Sequence, residues 1–387
     1  MRAPADEPEV ADSLTHPVHT YPARMDPATA RALLELVCEP GRTVLDPFCG
    51  GGTVLVEARY LGARAMGVDI NPLAVAIARA KVWTPAAARR RELLEAARSI
   101  SAAALAEGKA ARRAGHSERP HRGPRGTAGA ARDRAIGEWF APHVRREVEF
   151  LAGAVDDVRD RDGELGDALT VLLSSILYKV SKRTSDTDPR PAKRNVARGA
   201  AARLFRGRAE LLCAGLDELA SVRGPRAEVR VGDARKLGEV GVDRASVDAV
   251  VTSPPYAGTY DYADQHQLRL DFFGMSDASF RSGEVGARRQ FHGDRDRALA
   301  TWQRDLSAAL MQMARALRPG GRACLLLGDS LAGGSGVYAD DTLAAAIPED
   351  LSVVAWASQE RPAFGAAERR AFAERPKREH GFLLERV

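Results

Sequence analysis

A chain of 387 residues with 45% hydrophobic and 28% charged content has the make-up of an ordinary globular protein and can bury a large core in one or two domains. Its net charge of +5 is mild; it favours a polyanionic partner only where the basic residues cluster. No apolar run approaches the ~20 residues that span a bilayer, and the acidic N-terminus MRAPADEPEVADSL lacks the apolar core of a secretory signal, so no membrane association is expected.

Residues 1–15 read as a flexible tail. TARALLELV (29–37) has helical periodicity, RTVLD (42–46) reads as a short buried strand, and a helix over 53–61 follows. A strand over 63–69 and a helix over 72–81 come next, the helix with proline in its first turn. This βαβα order argues for a parallel sheet with helices on both faces. The rhythm then breaks. Residues 85–134 hold twelve Lys and Arg against five Asp and Glu, and HSERPHRGPRGTAGAARDR within them has too few apolar residues to pack, so 108–134 is expected to be disordered. Helical periodicity returns over 135–220, in EWFAPHVRREVEFLAGAV and DALTVLLSSILYKV. A second basic cluster at 181–208 sets nine Lys and Arg against two Asp. Strand signals resume at 227–233, 247–252, 322–328, 351–357 and 382–387, with a helix at 302–317. The expected architecture is one doubly wound α/β domain made of 16–83 and 226–387, interrupted by a basic, mainly helical insertion over 84–225.

The first chemical signal is VLDPFCGGGT (44–53), a strand ending in Asp46, three glycines and a new helix. Glycines let the backbone turn tightly and approach a ligand, and the helix start offers free N–H groups. Asp69 ends the next strand about 20 residues on, a spacing suited to a carboxylate on ribose hydroxyls. The Gly-Lys-Ser/Thr of a phosphate loop is missing. Asp46 would also repel a pyrophosphate, whereas it suits a ligand that carries an ammonium group.

DPFCGGGT resembles motif I of the S-adenosylmethionine-dependent methyltransferases that modify exocyclic amino groups of nucleic-acid bases. HPVHTYPARM (16–25) is similar to the segment that precedes that motif, Asp69-Ile70-Asn71-Pro72 to the ribose-binding turn, and Gly232-Asp233-Ala234 to the turn that meets the adenine. TSPPY (252–256) resembles the catalytic [SND]PP[YF] motif. The resemblance covers 16–82 and 227–330 and not the insertion. It implies a class I, Rossmann-like, mostly parallel seven-stranded sheet and S-adenosylmethionine as cofactor. The cofactor-binding residues it implies are Arg24, Asp46, Pro47, Phe48, Gly50, Gly52, Thr53, Asp69, Ile70, Asp233 and Ala234; the catalytic ones are Ser253, Pro254, Pro255 and Tyr256.

The chemistry accounts for that composition. A base amino nitrogen is conjugated with its ring and is a poor nucleophile. Acceptors that draw its protons out of the ring plane improve it. The Ser253 oxygen and the Pro254 carbonyl are the natural acceptors, prolines fix the carbonyl's direction, and Tyr256 offers a face for the extruded base. No metal is required. In the family, serine at the first position usually accompanies cytosine N4 methylation and Asp or Asn adenine N6. Carbon-5 chemistry needs a cysteine, typically after proline, and Cys38, Cys49, Cys213 and Cys324 all follow other residues. These scattered cysteines form no CxxC and read as small buried hydrophobes in a reducing cytoplasm. DNA is the expected partner, with the insertion as the candidate target-reading region and a cognate restriction endonuclease as a further partner. The chain is expected to be a monomer or homodimer. The glycine motif precedes TSPPY, an order also shared with RNA methyltransferases, so RNA is the alternative substrate. A non-catalytic nucleic-acid-binding protein and a small-molecule amine methyltransferase are weaker readings.

Overall fold

The structure is a computed structural model that describes residues 8–113, 137, 139–183, 194–222 and 224–387. In chain order the strands are β1 (Thr43–Asp46), β2 (Arg64–Asp69), β3 (Glu228–Val231), β4 (Val247–Thr252), β5 (Leu317–Gly328), β6 (Ser330–Ala332), β7 (Ser335–Val337), β8 (Leu351–Glu360) and β9 (Arg378–Arg386). Seven of them form one sheet in the order β3-β2-β1-β4-β5-β9-β8, while β6 and β7 form a separate antiparallel ribbon. β1 to β5 are parallel, and β9 lies antiparallel between β5 and β8. This is the mostly parallel, doubly wound seven-stranded sheet that the sequence pattern and its resemblance imply.

The central strands are continuous apolar runs because both of their faces are covered. Val44 and Leu45 of β1 and Ala249, Val250 and Val251 of β4 are all fully buried, each larger side chain contributing about 1.5–3 kcal/mol. Helix starts follow local chemistry. Asp26 caps helix Pro27–Val37 by accepting from Thr29 N at 3.0 Å, and Asn71 caps helix Pro72–Lys81 by accepting from Leu73 N at 3.0 Å, with proline at the first helical position of both.

The chain leaves the sheet centre in opposite directions, through β2 and β3 on one side and β5 on the other. The switch point therefore lies between β1 and β4, and a crevice opens outside their carboxyl ends. Asp46, Asp69 and Thr252 end β1, β2 and β4, and Asp233 follows β3, so the chemical residues share one edge of the sheet.

The insertion supplies helices Ala87–Arg113, Pro142–Arg161, Gly163–Val180 and Ala200–Ser221. They bury a cluster that includes Leu93, Phe140, Leu151, Leu172 and Phe205, and this cluster also takes in Val18, Leu268 and Phe272 from the flanking segments. His19 Nε2 meets Ser174 Oγ at 3.0 Å, and Arg269 Nε donates to the Ser174 carbonyl at 3.2 Å. Helix Gly163–Val180 thus buttresses the segments that carry the site. Among the described residues, no helix is long and apolar enough to cross a membrane.

Several expectations need correction. Of the tail expected over 1–15, residues 1–7 lie outside the described residues, while residues 8–11 are helical and Val10, Leu14 and Thr15 are buried. Most of the stretch 108–134 lies outside the described residues, but 108–113 complete helix Ala87–Arg113. The helix expected at 302–317 starts earlier, at Arg295, where Asp294 accepts from Arg297 N at 3.0 Å; its polar first turns carry no apolar period. The same lack of period concealed helices Tyr262–Phe273, Ala278–Gly283, Ala339–Ala346 and Gly365–Ala371.

Candidate active site

Residues 16–25 are held from both sides before they reach the crevice. His16 Nε2 lies 2.6 Å from Glu57 Oε1, both fully buried, and Arg31 Nε donates to Glu57 Oε2 at 2.7 Å. Burial lowers the pKa of His16 although Glu57 opposes the shift. Tyr21 accepts a hydrogen bond from Asn71 Nδ2 at 3.1 Å, and its ring stacks on buried His266 with centroids 4.7 Å apart. That ring also covers the glycine turn, since a Cβ on Gly50 would come within 3.3 Å of Tyr21 Cε1, and one on Gly51 within 2.9 Å of Tyr21 Cβ.

Two glycines of the turn adopt left-handed backbone, Gly50 at φ +46° and Gly52 at φ +82°. Gly52 caps helix Thr53–Tyr60 and abuts helix Pro72–Lys81, where an added Cβ would meet Ala78 Cβ at 2.9 Å and Ala78 Cα at 3.0 Å. Gly52→Ala therefore carries both strain and a clash with backbone, and is expected to lower unfolding free energy by about 1–3 kcal/mol, read from the denaturant midpoint.

The turn opens a narrow cleft of about 100 Å³. Its lining contains Arg24, Asp46, Pro47, Phe48, Gly50, Thr53, Asp69, Ile70, Asp233 and Ala234 from the predicted cofactor set, together with Ser253 and Pro255 from the predicted catalytic set. Gly52 is not in the lining; its part is to shape the turn. Tyr21, Met25, Tyr262, Phe280 and Glu284 complete the walls and were not singled out from sequence. Tyr21 sits inside the quoted HPVHTYPARM, and Tyr262 in the aromatic run that follows SPPY, so both had a local signal. Glu284 stands alone in an ordinary loop and had none.

The walls are acidic. Asp46 is 3% exposed and accepts from Thr252 Oγ1 at 2.6 Å and Phe48 N at 3.1 Å, both on Oδ1. Desolvation raises its pKa to about 7 against those bonds. Asp69 accepts from Gly50 N and Asn71 N, each at 2.8 Å, and burial raises its pKa to about 6. Burial also raises Glu284, which accepts from Tyr262 N and Arg289 Nη1, each at 2.6 Å. Asp233 differs: burial pushes its pKa up as well, but both its oxygens are taken by Arg235, which also reaches Asp305 at 2.8 Å, and this pairing brings the pKa below its ordinary value. Arg24 faces the same space and donates to the His16 carbonyl at 3.0 Å. Carboxylates that resist ionisation need cationic or hydroxyl partners to be stabilised. The donor set therefore fits a ligand with an ammonium, a sulfonium and a ribose diol, as S-adenosylmethionine has, and not a pyrophosphate.

A wider chamber of about 950 Å³ adjoins the cleft. Ser253 lines both spaces, and Pro254 and Tyr256 line the chamber with Tyr260, Tyr262, Arg288 and Phe364. Trp302 Nε1 donates to the Pro255 carbonyl at 3.0 Å and pins the turn. The Pro254 carbonyl accepts no hydrogen bond from the described residues. No described residue of the insertion lines either space. The segment 179–188, considered from sequence as a backbone clamp, lies partly outside the described residues. Among the described residues, Asp329, Asp340 and His380 bring their ligand atoms within 4.8 Å of one another. The Asp329 oxygens already accept from Ala339 N and Arg378 N, each at 2.8 Å, and Asp340 is paired with Arg375. Cys49, Cys213 and Cys324 are buried and Cys38 is half-buried; burial raises the pKa of all four.

The N6/N4 methyltransferase family described as DNA methylase matches residues 6–80. The chain is 42% identical over 71 residues to the type II methyltransferase M.MvaI of Kocuria varians, which covers 18% of this chain and 16% of that protein. It is 44% identical over 52 residues to the tRNA (guanine(10)-N2)-dimethyltransferase of Methanothermobacter thermautotrophicus, covering 13% of this chain and 16% of that one. The matched stretch thus spans about a sixth of the length of these relatives. Among solved structures, TrmN from Thermus thermophilus is similar at 14% identity, over 94% of this chain and 49% of that one, with a TM-score of 0.32. Over the segment that builds its glycine turn, the chain is thus similar to the N6/N4 methyltransferases.

Proposed function

We propose that this protein transfers a methyl group from S-adenosylmethionine to the exocyclic amino group of a DNA base, cytosine N4 in the first instance. One observation carries the reading. Ser253 and the glycine turn, two hundred residues apart in the chain, line one cleft, and a chamber with ample room for an extruded base opens at Ser253 and Pro254.

When bound, the cofactor supplies a methyl group activated on a sulfonium. Asp46 would hold its ammonium group, Asp69 its ribose hydroxyls, and the Asp233-Ala234 turn its adenine. Because Arg235 occupies both Asp233 oxygens, the Ala234 backbone is the better adenine contact. Ser253 Oγ and the Pro254 carbonyl accept the two amino protons, which turns the nitrogen lone pair toward the methyl group, and positioning supplies much of the acceleration. Tyr256, with Tyr260 and Tyr262, flanks the extruded base. The sheet residues 16–83 and 226–387 act as the catalytic domain. The basic clusters of 84–225 serve phosphate contacts, and the enzyme acts either beside a cognate restriction endonuclease or as an orphan.

The test is direct: incubate the protein with tritiated cofactor and separate DNA or RNA, digest to nucleosides, and identify the labelled product. Label in N4-methyldeoxycytidine is expected. RNA is the second reading, supported by the match to a tRNA dimethyltransferase; label confined to RNA nucleosides would establish it in place of the first. Absence of label on any amino nitrogen would overturn both.

A further inference from the structure

Ser253 and Tyr256 are joined to a carboxylate that no motif contains. Tyr256 Oη lies 3.4 Å from Ser253 Oγ and 3.1 Å from Glu379 Oε1. Glu379 stands on β9 opposite Gly328 of β5, and Arg361 Nε donates to its other oxygen, Oε2, at 3.1 Å. The Tyr256 ring lies against Gly328, where a Cβ would come within 2.6 Å of Tyr256 Cε2, so the phenol has little freedom to turn away. Ser253, Tyr256, Arg361 and Glu379 all line the chamber.

Counting protons gives this chain of bonds a direction. An ionised carboxylate only accepts, a phenol has one proton, and a serine hydroxyl has one proton and two lone pairs. Arg361 supplies the counter-charge that suits Glu379 as an acceptor. The Tyr256 proton therefore goes to Glu379, and toward Ser253 the phenol oxygen can only accept. Ser253 spends its proton on Tyr256, and its lone pairs remain for the chamber. With Pro254 offering a carbonyl beside it, the edge of the pocket formed by Ser253 and Pro254 then presents acceptors alone. An amino group satisfies both; a base carbonyl at the same place satisfies neither and leaves them unpaired.

We infer that Glu379 is a positioning residue that, through Tyr256, holds Ser253 as a hydrogen-bond acceptor and so restricts the pocket to bases that present an amino group there. This rests on amino-methyl transfer at Ser253 and adds to it a residue on the far, antiparallel side of the sheet.

Glu379→Gln is isosteric, yet its amide can donate to Tyr256, which releases the phenol proton toward Ser253 and reverses the chain. The expected result is a kcat at least about tenfold lower, with KM for the nucleic acid and calorimetric cofactor affinity within about twofold of wild type. Tyr256→Phe cuts the same chain, so the double variant Tyr256→Phe/Glu379→Gln should be no slower than Tyr256→Phe alone. Multiplicative losses in the double variant, or equal losses in cofactor affinity, would assign Glu379 to local packing and overturn the inference while leaving the functional reading intact. A wild-type protein that labels no amino nitrogen fails one step earlier, and takes both with it.

Discussion

Ser253→Ala lowers methyl transfer by about 10²–10³-fold, the scale set by loss of one preorganised polar partner in an active site, and leaves cofactor affinity within about twofold. The two halves of that expectation come from different parts of the sheet edge. Thr252 is committed, its hydroxyl donating to Asp46 at 2.6 Å, whereas Ser253 is tied only by a 3.4 Å contact to Tyr256. It is thus the hydroxyl free to meet a substrate. The groups proposed to face the cofactor, Asp46, Asp69 and Gly50, belong to β1, β2 and the turn after β1, and alanine at 253 leaves them in place. The Pro254 carbonyl also stays, held by the proline pair and by the bond from Trp302 to Pro255, so the variant keeps one acceptor and residual activity. Single-turnover rates with saturating cofactor, beside calorimetric titration of cofactor alone, separate the effects. Collapse of cofactor binding in the variant would show that Ser253 builds the cofactor cleft and would invert the division of roles.

The parts of this site that could be read from the sequence are those with a local physical signature. Asp46, Asp69, Asp233 and Ser253 each follow a short apolar run and precede a turn or a helix, and parallel strands deliver their carboxyl ends to one edge. Strand positions were legible for the same reason: β1 and β4 are buried on both faces and leave short apolar runs, Val44-Leu45 and Ala249-Val250-Val251. Tyr262 and Phe280 enter the cleft from helices Tyr262–Phe273 and Ala278–Gly283, whose buried residues include Arg269 and His266, so their apolar period is blurred. Glu379 is beyond sequence reasoning, because an antiparallel register against Gly328 brings it to Tyr256 across 123 residues. The insertion also has a structural part that its composition does not announce. Its charge is what the eye notices, yet its described helices act through apolar burial and through Ser174, which grips His19 and Arg269.

Cofactor affinity should rise with pH up to about pH 7 and then level off, and Asp46→Asn should weaken binding and remove the upper part of that rise. Asp46 has a pKa near 7 in place of the ordinary 3.8 because it is desolvated, a shift that makes its ionisation about 4 kcal/mol harder than in water. The sign for the unliganded fold follows. A raised folded-state pKa means the native protein holds the proton longer than the unfolded chain, so Asp46 erodes stability as pH climbs from about 4 to about 7. A ligand ammonium reverses that penalty by pairing with the ionised carboxylate, whose Oδ2 takes no hydrogen bond from the described residues. Below pH 7 binding must release the proton, at a cost of up to tenfold in affinity per pH unit, about 1.4 kcal/mol. Titrations near pH 6 in buffers of different ionisation enthalpy should therefore register more than one proton released per cofactor bound to wild type, about 0.9 from Asp46 and about 0.5 from Asp69. Asp69, with its pKa raised to about 6, contributes a second step, so in Asp46→Asn the remaining slope should end near pH 6. A variant that binds as tightly as wild type, with the same pH profile, would mean that the ammonium group lies elsewhere and that the acidic wall at the end of β1 serves only to anchor Thr252.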